Sequence, residues 1–241
     1  MMGILNSIIG HRWGPMHTEI FQREVVKLSF EKAPSKEEYA VAFSSRNGQD
    51  VHETMEKATV GIAGLGGLGS NIAMMLARTG VGKLVIADYD VVKLPHLNRQ
   101  DYLYKHLGLM KTDATEEMIM AVNPYVKIEK HQEKITLDNA AEIFKDCSVV
   151  CEAMDKWEDK TDFVNAILKN CPGMMIVAGS GMAGYGRSNA IHTDKSLKEL
   201  YICGDQGDLE DRAPVVLSPR ATICAGHMAN AVLAIIMNGK I

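Results

Sequence analysis

Gly64-x-Gly66-x-x-Gly69 stands inside GIAGLGGLGS, residues 61–70, directly after a short apolar run. A residue without Cβ lets the backbone turn sharply, approach a phosphate and pack a following helix against the preceding strand. The helix start offers unpaired N–H groups and a positive dipole end. Asp88 lies 24 positions after Gly64, at the end of the next apolar run. A carboxylate there can meet a ribose hydroxyl. A ligand-free turn is the plainer reading of the loop by itself, but the acid adds a reason for a nucleotide. Loop and acid alone do not separate a dinucleotide from ATP.

The stretch ADYDVVKLPHLNRQDYLYKHLGLMK, residues 87–111, bears on that choice. Asp90 follows Asp88 by two, Asn98-Arg99-Gln100 form a polar cluster, and Lys111 comes twelve residues after Arg99. A hydride-transfer site needs an apolar slot for a nicotinamide ring. A triphosphate needs cations that neutralise its oxygens and the charge developing during displacement. Arg99 can grip phosphate oxygens with two N–H groups, and Lys111 can act as a point charge. Taken singly, both cations read as solvated surface; the loop beside them gives them a role.

The elements that must hold these groups follow from periodicity. Short apolar runs at 58–63, 83–87, 126–130, 148–152 and 174–178 are expected strands. Helical spacing covers 66–78, 112–122, 138–144 and 160–169, with Asn123-Pro124 stopping the second. Strand and helix alternate through short connections. That pattern predicts an α/β, Rossmann-like fold, a mostly parallel sheet covered by helices on both faces. Further strands are expected at 185–193 and 200–203, and a final apolar helix at 221–237 after Pro219. Residues 1–52 lack a clear period and read as an arm or small appendage, with 53–241 as the nucleotide-binding domain. Within the arm, Val25–Phe30 is a candidate strand. Residues 33–42 are a candidate short helix with Ser35 and Glu38 as a capping box.

Bulk properties narrow the function classes. Hydrophobic content of 46% and charged content of 23% are ordinary for a globular protein, and a net charge of −4 without a basic run argues against a nucleic-acid partner. No run reaches about 18 apolar residues and the N-terminus lacks a basic start, so neither a membrane span nor a signal peptide is expected. Five cysteines occur, Cys147, Cys151, Cys171, Cys203 and Cys224, with no CxxC pair among them. They read as reduced core thiols of a cytoplasmic protein, and no zinc site is expected.

The pattern GxGGLGSxxAxxLxxxGVGxLxxxDxDxVxxxxLxRQ, followed by a Lys, resembles the ThiF/MoeB-type adenylyltransferases. These are related to ubiquitin-activating enzymes. The resemblance runs from about residue 58 to 239. VCEAMDKWEDKTDF, SGMAGYGRSN, YICGD and SPRATICAGHMAN resemble the shorter, zinc-free ThiF branch. The resemblance implies ATP and Mg²⁺, and adenylation of the C-terminal glycine of a ubiquitin-like sulfur carrier in thiamine thiazole synthesis, by a homodimer. It implies that Gly64, Gly66, Gly67 and Gly69 line the loop and that Asp88 holds the ribose, with Asp90 nearby. By the same resemblance Arg99 and Lys111 would bind phosphates, Asn98 and Gln100 would support them, and Asp155 would support the metal. By itself Asp155 also has a reading as a helix N-cap.

Departures from the family pattern matter. Pro95-His96 stand where the family has Ser-Asn, and Asn98 is the candidate replacement. Some relatives use a cysteine before the final helix in sulfur transfer; Cys203 is the nearest, and a buried strand thiol is its plainer reading. The family borrows an arginine from a partner subunit, for which Arg46 and Arg23 are candidates. The glycine-rich stretch 179–186 suits either a channel for an extended Gly-Gly tail or a tight turn. Another acceptor (a molybdopterin carrier, a tRNA adenosine, a peptide), a non-catalytic partner subunit and a dinucleotide oxidoreductase are the competing readings.

Overall fold

The computed structural model describes residues 34–181, 184–205 and 215–241. Lys36–Ile241 form one compact unit. The expected strand at Val25–Phe30, and Arg23, lie outside the described residues.

Seven strands form one sheet: β1 Thr59–Ala63, β2 Lys83–Ala87, β3 Lys127–His131, β4 Val149–Glu152, β5 Met175–Gly179, β6 His192–Lys195 and β7 Leu200–Gly204. Their order is β3-β2-β1-β4-β5-β7-β6. All neighbours are parallel except β6 and β7. The order reverses direction between β1 and β4, which opens a crevice beyond their carboxyl ends.

Side-chain alternation assigns the two faces. Val60, Ile62, Leu84, Ile86, Val149 and Cys151 point into one core, and Ala63, Val85, Ala87, Val150 and Ile176 into the other. The first core is closed by helices α3 Gly69–Thr79 and α7 Ser218–Asn238, whose Ile72, Leu76, Met228 and Val232 are fully buried. The second is closed by α5 Ala140–Phe144 and α6 Trp157–Asn170, where Phe144 and Phe163 meet edge to face at 5.6 Å. Gly61 is needed under that pair, because a Cβ there would fall 2.5 Å from Phe144 Cδ1. Helix α4, Lys111–Val122, packs beside α3 and against β3.

Among the described residues two helices precede the sheet, α1 Lys36–Asn47 and α2 Gln49–Lys57. Position 52, where the arm was expected to end, falls inside α2, and both helices lie within the compact unit. Met55 of α2 is buried in the first core, and Phe43 of α1 sits against Gly80, just before β2. These helices therefore pack at the amino ends of the strands.

One sequence expectation needs correction. The strand expected over 185–193 is present only as His192–Lys195. Gly184, Gly186 and Arg187 have φ of 77°, 70° and 40°, left-handed values that break an extended run. A short turn at Ser188–Ala190 follows them. Helix α7 is also long and apolar enough to cross a membrane by length and composition. Interspersed Arg220, His227 and Asn230 hid this from a search for an unbroken apolar run. The helix packs against β4, β5, β6, β7, α2 and α3 and is the central helix of the first core.

Candidate functional site

The glycine loop joins β1 to α3. Gly64 has φ of 89°, and a Cβ there would stand 2.9 Å from the carbonyl oxygen of Ala153. A Cβ on Gly69 would stand 1.8 Å from the carbonyl oxygen of Gly64, so the helix can start this close to the strand only with glycine. Gly66 and Gly67 meet no such clash. The space beside Gly66 opens toward Asp155 Oδ1 and Gln100 Nε2, at 3.7 and 4.0 Å from where its Cβ would be; that beside Gly67 faces Arg99 Cγ at 3.4 Å. This leaves a shallow cradle that any side chain would fill.

Asp88 directly follows β2 and braces the loop. Its Oδ2 accepts the Leu65 N–H at 2.7 Å, and its Oδ1 accepts the Asp90 N–H at 2.8 Å. Lys111, the first residue of α4, is 5% exposed. Its Nζ lies 3.3 Å from Asp90 Oδ2 and 3.8 Å from Asp88 Oδ2. The positive end of a helix dipole is a poor place for a cation, so the two carboxylates compensate both the ammonium and the helix end. Asp90 is further held by the Lys93 ammonium at 2.7 Å and the Val91 amide at 2.9 Å. Burial pushes its carboxyl up, but Lys93, the Val91 amide and Lys111 outweigh it and hold the pKa at about 2. His96 Nε2 stands 3.7 Å from the same Asp90 oxygen that Lys111 faces.

Asp155 follows β4 in the turn opposite the loop. The N-cap position of α6 falls at Lys156, so Asp155 is one residue before it and is exposed to the cleft. Buried Glu152 sets this turn: its Oε1 accepts the Met154 N–H at 2.7 Å, and both oxygens pair with Lys160. Lys160 also donates to the Gly179 carbonyl at 3.0 Å, tying β4 to β5. Burial pushes Glu152 up and Lys160 opposes the shift.

The structure gathers Gly64, Gly66, Asp88, Asp90, Lys111 and Asp155 around one cleft of about 140 Å³ at the crevice between β1 and β4. That is below the roughly 300–1,000 Å³ of usual ligand pockets, so a nucleotide here would lie partly exposed along the loop. Arg99, Asn98, Gln100 and Gly67 sit on the outer flank of the loop. Arg99 is half-buried and its Nη1 donates to Asn98 Oδ1 at 3.0 Å. Gln100 is 5% exposed, and its Oε1 is buried without a hydrogen-bond partner. Asp101 N–H donates to Ser70 Oγ, and Asn71 Nδ2 to the Gly67 and Arg99 carbonyls, which pins this segment to the first turn of α3. Arg46 is exposed in the last turn of α1, at the amino ends of the strands, away from the cleft of its own chain.

Sequence reasoning missed the far wall. Ile135 and Lys134 follow β3, Asp159 lies on α6, and Lys134 reaches Asp159 at 3.2 Å across the cleft mouth. Their position just beyond strand carboxyl ends was the available signal. Cys203 is fully buried, with its Sγ 3.3 Å from Thr193 Oγ1, and burial pushes its thiol up. That is the environment of a packed thiol, not of a nucleophile. Among the described residues no group of three or more His, Cys, Asp or Glu side chains could hold a metal.

Fold and cleft define a Rossmann-like α/β protein with a glycine loop at the switch point of its sheet. The ThiF family pattern matches residues 39–240, and the chain belongs to that family. Similar proteins include ubiquitin-like modifier-activating enzyme 5 of Caenorhabditis elegans, 37% identical over 121 residues, 49% of this chain and 29% of the relative. The same enzyme of Drosophila willistoni is 43% identical over 89 residues, 36% of this chain and 22% of the relative. The matches thus span less than a third of these relatives' length. Among solved structures, the E. coli tRNA N6-threonylcarbamoyladenosine dehydratase TcdA in complex with ATP is similar in fold, with a TM-score of 0.76 at 20% identity. That likeness covers 86% of this chain and 98% of that one.

Proposed function

We propose that this chain uses ATP to adenylate the C-terminal carboxylate of a small ubiquitin-like protein, releasing pyrophosphate. The acceptor we assign is a sulfur carrier of the ThiS type, in thiamine thiazole synthesis. The observation that carries the reading is Lys111: a buried cation lining the cleft beside the glycine loop, held by Asp88 and Asp90. Its contacts to them are long, 3.8 and 3.3 Å, so the ammonium keeps N–H donors for a phosphate oxygen. Family membership supports the reading, as do relatives named for activating ubiquitin-like modifiers and a fold neighbour solved with ATP.

The chemistry follows from the residues. The carboxylate oxygen of the acceptor attacks the α-phosphorus of ATP, the bond from that phosphorus to the bridging oxygen breaks, and pyrophosphate leaves. The attacking carboxylate is already ionised at neutral pH, so no general base is required. The protein's work is positioning and charge stabilisation. Free N–H groups at Gly66, Gly67 and the start of α3 face the phosphates. Asp88 has lone pairs left for the ribose after bracing Leu65. Lys111 meets the phosphate oxygens, and Arg99 swings from Asn98 to join it, with Asn98 and Gln100 supporting. Asp155, a single exposed carboxylate opposite Gly66, fits a Mg²⁺ held mainly by nucleotide oxygens and water. Bound there, the ion supplies positive charge to the phosphates. The glycine-rich stretch after β5 receives the acceptor tail, and a second copy of the chain lends Arg46 or Arg23.

ATP–pyrophosphate exchange with candidate acceptors tests the proposal. Exchange is expected only with a carrier ending in Gly-Gly. Exchange driven by a peptide or by tRNA instead would replace the acceptor. Exchange with none, together with tight ATP binding, would make the chain a non-catalytic partner.

A further inference from the structure

We propose that Tyr102 is a positioning residue for the nucleotide's phosphates, its buried hydroxyl setting the spacing between the glycine loop and the helix that carries Lys111. The inference rests on the nucleotide-binding reading above. Tyr102 is 6% exposed and its hydroxyl donates to the carbonyl of Leu65 at 2.9 Å. The Leu65 N–H is already held by Asp88 Oδ2, so both peptide groups flanking Leu65 in the loop are held by side chains. The same hydroxyl lies 3.4 Å from Thr115 Oγ1. A carbonyl can only accept, so the phenol proton goes to Leu65 and Thr115 is the donor in the second contact.

Thr115 is 2% exposed and stands one helical turn after Lys111 on α4. Tyr102 also follows Arg99 by three residues, in the segment that Asp101 pins to Ser70. One oxygen therefore joins three parts: loop, Lys111 helix and Arg99 segment. Burial pushes the phenol well above its usual range, so it stays a donor at any working pH. The bond is buried, and the Leu65 carbonyl would keep no partner from this side chain without the hydroxyl. Tyr102 does not line the cleft, so it acts through the groups that it holds.

Titration of the full chain with Mg-ATP and, separately, with adenosine tests this. The loop and Lys111 meet phosphates, which adenosine lacks. In Tyr102→Phe the ATP dissociation constant should rise about 5–10-fold while that for adenosine stays within about twofold, the loss of one buried hydrogen bond acting on one part of the ligand. Thr115→Val keeps the grip on Leu65 and frees only the helix, so ATP binding should weaken by about 2–3-fold with adenosine unchanged. Equal losses for both ligands, or unchanged ATP binding in Tyr102→Phe, would overturn the inference and leave the nucleotide reading intact. Should thermal melting show Tyr102→Phe unfolded, unchanged ATP binding by Thr115→Val overturns it instead. A wild-type chain that binds neither ligand defeats the parent reading, and this one with it.

Discussion

Lys111 is a cation buried at the end of a helix where an acid would be the easier choice. Two carboxylates hold it there, and its Nζ faces the loop that the phosphates would occupy. Replacing it by alanine should lower kcat/KM for ATP-dependent exchange by about 10²–10³-fold, the range seen when one transition-state donor is removed. Circular dichroism should show the fold retained. Near wild-type exchange in Lys111→Ala would mean that the phosphates lie elsewhere. The cysteines make a contrasting residue-scale case. Burial pushes all five thiols up, Cys147 and Cys224 to about 12. Spacing alone had left Cys203 open as a sulfur-transfer group, and only its packing shows a thiol without thiolate character.

At the scale of elements, the junction of β1 with α3 is the tightest point. Gly69→Ala would put a methyl 1.8 Å from the Gly64 carbonyl oxygen, so strand or helix must move. A loss of about 1–3 kcal/mol, typical of overpacking, is expected in denaturant melts, along with weaker ATP binding because the loop shifts. Unchanged stability would show that the helix start can relax freely. The element boundaries were legible wherever one period ran unbroken: Lys83–Ala87 falls where the apolar run placed it. They were only partly legible in 36–57 and not legible in 185–193. In the first, the candidate helix at 33–42 marked the start of α1 but missed its extent to Asn47 and all of α2, since α1 buries no residue and α2 only Met55. In the second, positive φ at Gly184, Gly186 and Arg187 breaks a run that composition alone reads as extended.

For the whole molecule, ligand binding and stability are linked. A ligand that binds only the folded chain stabilises it by about 2.7 kcal/mol at a hundred times its dissociation constant. For a chain of this size that is a rise of roughly 5–10 °C in Tm. Mg-ATP should give such a shift and NAD should not. A shift with NAD and none with ATP would return the chain to the oxidoreductases. The sheet's order makes this a global effect, since the loop after β1, the acid after β2 and the turn after β4 come from three strands meeting at one crevice.

The amino-acid sequence by itself determined the alternation of strands and helices, the glycine loop, the acid after the second strand and the pattern of its family. All of these are local or periodic: each is written in residues a few positions apart, where sterics and side-chain period act directly. The tertiary structure alone decided that Lys111 sits between Asp88 and Asp90 and that Arg99 lies on the outer flank. It alone placed Tyr102 under Leu65, and made the apolar helix at the end of the chain a core element. Those facts depend on contacts between segments tens of residues apart. Such contacts are fixed by how the two cores pack, and no spacing along the chain records them.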